Sequence, residues 1–186
     1  MKQTSIQQAG LYDPAFEKDS CGFGLIAQID DKPSHWLVKT SVDSLARLTH
    51  RGAVAADGKT GDGCGLLLKT PESFFRAQAE QLGVTLGKTF AVGMVFLSKT
   101  ADAAKQAKST LEEEISKEGL NVLAWRNVPV DVSACGEQAL ATLPDIQQIF
   151  VDAKKGMDNA TFDRHLYIAR RRAEKRLELE DDVFYV

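Results

Sequence analysis

The sequence has 186 residues, 44% of them hydrophobic and 26% charged, a composition typical of a globular protein with one core of ordinary size. The formal net charge of −3, with acidic and basic residues mixed along the chain, gives no electrostatic reason to expect nucleic acid. No apolar run reaches the roughly 20 residues of a membrane helix and residues 1–20 lack the apolar segment of a signal peptide, so we expect a cytoplasmic protein without a membrane partner.

The amino-terminal part of the chain changes character at Cys21. Residues 1–20 are polar and show no sustained hydrophobic period, which predicts a leader rather than a core element. From Cys21 to Ile29 apolar residues recur in strand-like alternation, and after a turn at residues 30–33 a second run follows at residues 35–39. These patterns predict a hairpin with Cys21 at its outer end.

The next segments combine helix and strand signals. Helical spacing after Ser41 predicts a short helix that Ser41 caps and that ends at Arg51, before a glycine. A glycine-rich loop then leads to residues 66–68, three leucines that predict a buried strand. A further helix is expected from its N-cap Thr70 to Gly83.

The second half of the chain has longer and clearer patterns. They predict strands at 90–97, 122–130 and around 149–151, a helix through residues 104–115 closed by Gly119, a helix through residues 162–177, and a last strand-like run at 183–186. Strands and helices come in grouped pairs, which favours an α+β fold over a doubly wound sheet. Because the chain stops inside an apolar run, we expect a partial domain.

Neither the cysteines nor the histidines form a metal or disulfide pattern. The cysteine count is odd and has no CxxC spacing, and the histidines are scattered: Cys21, Cys64, Cys135, His35, His50 and His165. We therefore expect no metal site and assign no role to Cys135. The basic cluster at residues 170–172 and 175–176 is interleaved with glutamates, which favours a salt-bridged, solvated helix face over a nucleic-acid site.

The glycine loop at residues 58–65 ends like a phosphate-binding P-loop, with Gly58-Lys59-Thr60. A P-loop needs a glycine five positions before Gly58, where the sequence has Ala53, and it needs a strand before the loop and a helix after it. The loop instead predicts a tight backbone turn near a functional site. Cys64 in this loop is expected to be a small tolerated residue rather than a redox thiol.

Cys21 is the candidate nucleophile. A cut between Ser20 and Cys21 would give one residue both a thiol and a free α-amine, whose ordinary pKa of roughly 7.7 to 8.0 suits a general base near neutral pH. Without such a cut, a free cysteine is commonly a small buried hydrophobe. The leader and the residues around Cys21 therefore decide its interpretation.

The order of motifs resembles the class II glutamine amidotransferases, which are N-terminal nucleophile hydrolases. The similarity is closer to the amino-terminal domains of glutamate synthase large subunits, and its markers span most of the chain. They are Asp19-Ser20-Cys21-Gly22-Phe23-Gly24, Thr49-His50-Arg51-Gly52, Ala56-Asp57-Gly58-Lys59-Thr60-Gly61-Asp62-Gly63, Trp125-Arg126-Asn127-Val128-Pro129, Gln148-Ile149-Phe150-Val151 and Leu166-Tyr167-Ile168-Ala169-Arg170-Arg171. The family continues the glycine loop with alanine and glycine where this sequence has Cys64 and Gly65.

The resemblance implies a four-layer αββα fold, here a partial domain with antiparallel sheets and flanking helices. Residues 1–20 would be a propeptide cleaved between Ser20 and Cys21, and residues 21–186 the amino-terminal part of the glutamine amidotransferase domain. Cys21 would be the nucleophile, and its α-amine the base, in the hydrolysis of L-glutamine to glutamate and ammonia. Arg51 and Gly52 would support the nucleophile.

The resemblance assigns no cofactor to this chain and implies FMN and an iron–sulfur cluster for the full-length enzyme. The implied partners are L-glutamine and the remainder of the large subunit, with room for an NADPH-oxidising small subunit. The oxyanion-hole residues would lie beyond Val186, so we expect the isolated chain to be nearly inactive. Two alternatives stay open: a non-catalytic regulatory or interaction module with a structural Cys21, and a thiol redox protein that uses Cys21 and Cys64.

Overall fold

The structure is a computed structural model that describes residues 22–48, 54–61, 63–177 and 184–186. The chain divides into two compact units. Unit 1 comprises Met1–Ala55 and Gly61–Leu67, and unit 2 comprises Ala56–Thr60 and Leu68–Val186. None of the helices in the described ranges is long and apolar enough to cross a membrane.

Unit 1 contains helix α1, His35–Ala46, where the sequence predicted a hairpin. The hairpin prediction is wrong, because residues 22–28 form no strand and residues 35–39 belong to α1. A strand needs a partner for its backbone hydrogen bonds, whereas a helix satisfies them internally. Local contacts also favour the helix, since Lys39 Nζ lies 3.0 Å from Asp43 Oδ2 one helical turn away.

The predicted helix that begins at Ser41 overlaps α1 but starts too late. The N-cap is Ser34, whose backbone is extended, and the helix ends at Ala46 with Arg47 as its C-cap. Ser41 therefore lies inside the helix, where its hydroxyl donates a hydrogen bond of 2.8 Å to the Leu37 carbonyl. The predicted end of this helix, at Arg51, lies outside the described residues.

The buried strand predicted at residues 66–68 is also wrong. These leucines are in no regular element, and the side chain of Leu67 is 99% exposed. A short apolar run forms a buried strand only where a neighbouring strand and a core are available to it.

Unit 2 holds the remaining described helices and strands, and most of them confirm the predictions. They are α2 (Glu72–Gln81), β1 (Phe90–Leu97), α3 (Ala101–Lys117), β2 (Asn121–Asn127), a 3₁₀ turn (Val132–Ala134), α4 (Glu137–Thr142), β3 (Asp145–Asp152), α5 (Asn159–Leu177) and β4 (Phe184–Tyr185). Strand β2 ends before the predicted Val130, where Pro129 has no N–H to donate. Helix α4 was not predicted.

The strands form one antiparallel sheet in the order β2-β3-β1-β4. Side chains alternate between its faces, so successive residues of β3 enter different cores. Ile149 and Val151 pack with the side chains of α3 and α5, while Phe150 packs with Ala79 and Leu86 on the other face. An antiparallel sheet with helices packed on it confirms the α+β prediction.

Ion pairs connect α3 with α5 at the edge of the larger core. Glu114 is only 3% exposed, and its carboxylate accepts hydrogen bonds from Lys117 Nζ at 2.7 Å and from Arg176 Nη1 at 2.6 Å. On the outer face of α5, Arg170 and Arg171 pair with Glu174. The basic cluster is therefore the salt-bridged face that the sequence predicted.

Candidate active site

The predicted catalytic and supporting residues, Cys21, Arg51 and Gly52, lie outside the described residues, as do Ser20 and the leader. The described part of the candidate site is the glycine loop that follows Arg51 in the sequence. It contains residues 54–61 and 63–65. Residues 56–60 of this loop belong to unit 2, and their contacts within that unit give the described geometry of the site.

The loop turns around the side chain of Asp57. Its Oδ1 atom accepts hydrogen bonds from the backbone N–H groups of Lys59 at 3.0 Å and Thr60 at 2.8 Å, and its Oδ2 atom accepts one of 2.5 Å from the Thr60 hydroxyl. Gly58 has a φ of 68°, in the left-handed region that glycine adopts without strain. This Asp57–Thr60 turn confirms the prediction of a tight backbone turn in the loop.

The residues that flank the turn also pair with each other. Val54 and Gly61 form an isolated antiparallel bridge. Arg51 and Gly52 precede Val54 in the sequence by three and two positions, and Cys64 follows Gly61 by three. The turn thus lies in the sequence between the Arg51-Gly52 pair, which the family resemblance predicts to support the nucleophile, and Cys64.

The electrostatics of Asp57 make it a structural carboxylate. The Thr60 hydroxyl, followed by the backbone N–H groups of Lys59 and Thr60, holds the pKa of Asp57 far below its ordinary value, and burial opposes this only weakly. A general acid or base works best with a pKa near the working pH. Asp57 is therefore permanently ionised near neutrality and suited to fixing the turn rather than to moving protons.

The Asp57–Thr60 turn lies against the start of helix α4. Gly136 is the N-cap of α4 and has no side chain to accept the free N–H groups there, and the Gln138 N–H donates instead to Asp57 Oδ2 at 3.4 Å. A Cβ atom on Gly136 would overlap both the Asp57 carboxylate and the Thr60 hydroxyl. The φ of Gly136 is −81°, which any residue adopts, so glycine is required there for space.

A cavity of about 530 Å³ opens beside the turn. Its size is within the range of small-molecule sites, roughly 300 to 1,000 Å³. Its walls combine charged, hydroxyl, thiol and apolar groups from the turn and from the segment that leads into α4: Asp57, Lys59, Val132, Ser133, Cys135, Gly136, Glu137 and Leu140. Cys135, for which the sequence predicted no role, therefore lines this cavity.

No group of three or more His, Cys, Asp or Glu side chains in the described residues could hold a metal ion. The cysteines described are Cys64, which is exposed, and Cys135, and both are free thiols. Iron–sulfur clusters are typically held by four cysteine thiolates, so the described residues do not fit such a cluster. The redox pairing of Cys21 with Cys64 involves a residue outside the described ranges.

The tryptophan–arginine motif lies on β2, where its side chains hold neighbouring elements. Trp125 Nε1 donates to Glu112 Oε1 of α3 at 2.6 Å, and Arg126 Nη1 donates to Gln148 Oε1 of β3 at 2.8 Å. Gln148 in turn donates to Met94 Sδ on β1 at 3.3 Å. Trp125 thus links β2 to α3 and Arg126 links β2 to β3, and neither residue lines the cavity.

A family model described as glutamine amidotransferases class-II matches residues 21–186. The chain belongs to this family. The match covers every motif from Cys21 onward on which the sequence resemblance depends, including the Asp57–Thr60 turn. Class II glutamine amidotransferase membership is thus established for the chain, and the family resemblance predicted from its motifs is confirmed.

Curated relatives identify the branch of the family to which this amidotransferase chain is similar. It is 40% identical over 166 residues to the glutamate synthase (NADPH) large chain of Bacillus subtilis, covering 89% of this chain and 11% of that protein. It is 40% identical over 185 residues to the corresponding chain of Azospirillum brasilense, covering 98% of this chain and 12% of that protein. It is also 40% identical over 176 residues to the ferredoxin-dependent glutamate synthase 1 of Arabidopsis thaliana, an alignment that covers 94% of this chain and 11% of that protein. The chain therefore spans about a tenth of the length of these relatives.

Gly136 and Gln138 are the residues of this candidate site that the sequence did not reveal. Gln138 is 81 positions from Asp57 in the sequence, and no local pattern links the two segments. The available signal was the pair Gly136-Glu137, a glycine followed by an acid, which is compatible with a helix start. That signal is compatible with the start of α4, which was not predicted, and it does not indicate the contact with the turn.

Proposed function

We propose that this chain is the glutaminase part of a glutamate synthase. It would hydrolyse L-glutamine to glutamate and ammonia, and the ammonia would serve the reductive amination of 2-oxoglutarate in the full-length enzyme. The observation that carries the proposal is the class II amidotransferase match, which begins at Cys21, together with 40% identity to glutamate synthases over most of the chain. The FMN and iron–sulfur chemistry would belong to other parts of that enzyme.

The proposed mechanism begins with removal of residues 1–20, which exposes the α-amine of Cys21. This amine takes the thiol proton, directly or through a water molecule, and the thiolate attacks the side-chain amide carbon of glutamine. The amine then gives the proton to the leaving nitrogen, so that ammonia departs and a γ-glutamyl thioester forms on Cys21. Water hydrolyses the thioester to glutamate and regenerates the thiol.

Arg51 and Gly52 are proposed to support this centre. A guanidinium presents several donors in a fixed plane, and a glycine lets the backbone approach closely. In the four-layer αββα fold proposed for the complete domain, the oxyanion-hole groups come from segments beyond Val186. Loss of one such donor costs roughly 10² to 10³ in rate, so the 186-residue chain alone is expected to be nearly inactive.

The electron donor is proposed to act through parts of the enzyme other than this chain. The relatives are named for three donors, and the identity to each group is similar: 40% for two NADPH enzymes, 40% for an NADH enzyme and 36 to 40% for ferredoxin enzymes. Sequence identity over this segment therefore does not distinguish between the three electron donors. An NADPH-oxidising small subunit is one partner compatible with the proposal.

Replacement of the nucleophile tests the proposal in the full-length protein. We expect Cys21→Ala to lower glutamine hydrolysis at least roughly 10³-fold, because no other group supplies the attacking thiolate. The measurement is ammonia release from L-glutamine, and Cys64→Ala is the matched control, which is expected to retain activity. Unchanged glutamine hydrolysis in Cys21→Ala would contradict the proposal, and a reversible disulfide between Cys21 and Cys64, detected as a mass shift on reduction, would point to the thiol redox alternative.

Intact-mass measurement of the active protein tests the proposed cleavage. Loss of residues 1–20, giving Cys21 as the first residue, is expected. Full activity in a protein that retains Met1 contradicts the proposed α-amine base and favours a non-catalytic role for Cys21.

A further inference from the structure

The Asp57–Thr60 turn packs against Gly136, a residue of another segment that has no role in the proposed chemistry. Gly136 leaves room for the Asp57 carboxylate and the Thr60 hydroxyl, and a single methyl group at this position would overlap both. The Gln138 N–H donates to the same carboxylate at 3.4 Å. The position of the turn within unit 2 therefore depends on Gly136.

We propose that Gly136 is a positioning residue for the glutaminase reaction, acting through Asp57 on the loop between Arg51 and Cys64. This inference rests on the proposed function. In the sequence the turn lies between the proposed supporting pair Arg51-Gly52 and Cys64, where the loop departs from the alanine of the family. Because only a few residues separate the turn from Gly52 and from Cys64, a displaced turn would also displace these neighbouring segments.

The expected effect is on the rate of reaction more than on substrate affinity. Misplacement by about 1 Å of a group that supports the reacting atoms costs up to roughly 10²-fold in rate. The family resemblance also implies that the groups that bind the charged ends of glutamine come from later segments, and a change at Gly136 leaves those groups in place. A positioning role therefore predicts a lower kcat per folded molecule with a nearly constant KM. A loss of folded protein also lowers the apparent kcat at constant KM, so the folded fraction of each variant is measured and kcat is expressed per folded molecule.

Gly136→Ala in the full-length protein is the first test. We expect kcat for glutamine hydrolysis to fall about 10- to 100-fold, with KM changed less than about threefold. Gly87→Ala is a matched control, because a Cβ at Gly87 would lie 2.8 Å from the Asp152 carboxylate in a part of unit 2 away from the turn. Thermal unfolding of both variants measures their loss of stability, and Gly87→Ala is expected to keep kcat within about twofold.

Asp57→Ala and the double variant Gly136→Ala/Asp57→Ala complete a mutant cycle. Asp57→Ala removes the carboxylate that the new methyl group would overlap and releases the Thr60 hydroxyl, which that carboxylate holds by a hydrogen bond. The double variant is therefore expected to have the kcat of Asp57→Ala alone. Asp57→Ala also tests the positioning role without overpacking, should Gly136→Ala fail to fold. It is expected to lower kcat about tenfold at constant KM.

The outcomes separate this inference from the proposed function. If the wild-type full-length protein does not hydrolyse glutamine, the proposed function fails and this inference fails with it. If the wild type is active and Gly136→Ala loses no more kcat than Gly87→Ala, the positioning role is overturned and the proposed function stands. Additive losses in the mutant cycle likewise overturn the action through Asp57.

Discussion

The two units of this chain differ in where their apolar side chains lie. In unit 1, Phe23 is 95% exposed and Leu67 is 99% exposed, and none of the described residues of this unit is buried. In unit 2, Phe150 and Leu97 are completely buried, each in its own hydrophobic cluster. Since burial of apolar surface is the main favourable term in folding, unit 2 contributes most of the stability that the described residues supply.

The units also differ in how their charges are used. One ion pair of unit 1, between Lys39 and Asp43, joins two exposed side chains of one helix. In unit 2, the nearly buried Glu114 of α3 accepts from Arg176 of α5, so one carboxylate connects two helices. Exposed pairs contribute little because water screens them and the side chains lose freedom. Among the described residues, unit 2 is therefore held by long-range contacts and unit 1 by local ones.

The largest expected effect comes from the same substitution made in each unit. Leu97→Ala leaves a cavity in the core of unit 2 and is expected to lower the free energy of unfolding by about 2 to 5 kcal/mol. Leu67→Ala removes an exposed side chain of unit 1 and is expected to change it by less than about 0.5 kcal/mol. Urea unfolding followed by circular dichroism measures both.

Equal losses at the two leucines would break the comparison, because they would require Leu67 to be buried. The slope of the unfolding free energy against urea concentration checks that both variants unfold from a similarly compact state.

A smaller effect is expected from the buried charge. Glu114→Gln weakens charge-assisted hydrogen bonds with Lys117 and Arg176 and is expected to cost about 1.5 to 3 kcal/mol at pH 7. The exposed counterpart, Asp43→Asn, is expected to cost about 0.3 to 0.5 kcal/mol. Both values come from urea unfolding, and a cost for Asp43→Asn as large as that for Glu114→Gln would contradict the difference between the units.

The pH dependence sharpens the same test. The hydrogen bond from Lys117, assisted by Arg176 and opposed by burial, lowers the pKa of Glu114 in the folded protein. The ionised carboxylate therefore stabilises the fold above its unfolded pKa, about 4.3, and this contribution is lost as the pH falls through the lowered folded value. The difference between wild type and Glu114→Gln should shrink over that range. A difference that stays constant down to pH 2 excludes the ion pair as its cause.

The contrast between the units explains how much of the fold the sequence predicted. Strand β1 and helix α5 were predicted because their hydrophobic periods match the cores on which they pack. The strand-like runs of unit 1 have the same kind of pattern, but no described core lies against them, and local hydrogen bonds made residues 35–39 helical. A period identifies the apolar face of an element only where a partner is present to bury it.

The candidate site was predicted unevenly for the same physical reason. The Asp57–Thr60 turn follows from an aspartate and a glycine adjacent in the sequence, and these local signals suffice to predict it. The contact with Gly136 depends on folding that joins segments about 80 positions apart, for which one sequence carries no local signal. Cys21 and Arg51 stay predictions of the family motifs, because both lie outside the described residues.

The smallest expected effect is on amide hydrogen exchange at Thr60, which tests whether the Asp57–Thr60 turn behaves as part of unit 2. The turn belongs to unit 2 by its contacts, although both of its neighbours in the sequence belong to unit 1. The amide of Thr60 donates to Asp57 Oδ1, so it should exchange its hydrogen more slowly than the amides of residues 63–66, after correction for intrinsic rates. Because hydrogen bonding keeps the pKa of Asp57 well below its ordinary value, this protection should persist from pH 7 down to about 4 and be lost only at lower pH.

Asp57→Asn should reduce the protection of the Thr60 amide roughly three- to tenfold, because the charged acceptor becomes a neutral amide. A matched control is Asp158→Asn, since Asp158 accepts from the N–H and hydroxyl of Thr161 in the same spacing at the start of α5. It should affect Thr161 and leave Thr60 unchanged. If Thr60 exchanges as fast as residues 63–66 in the wild type, the turn behaves as part of unit 1 and its attachment to Gly136 is not maintained in solution.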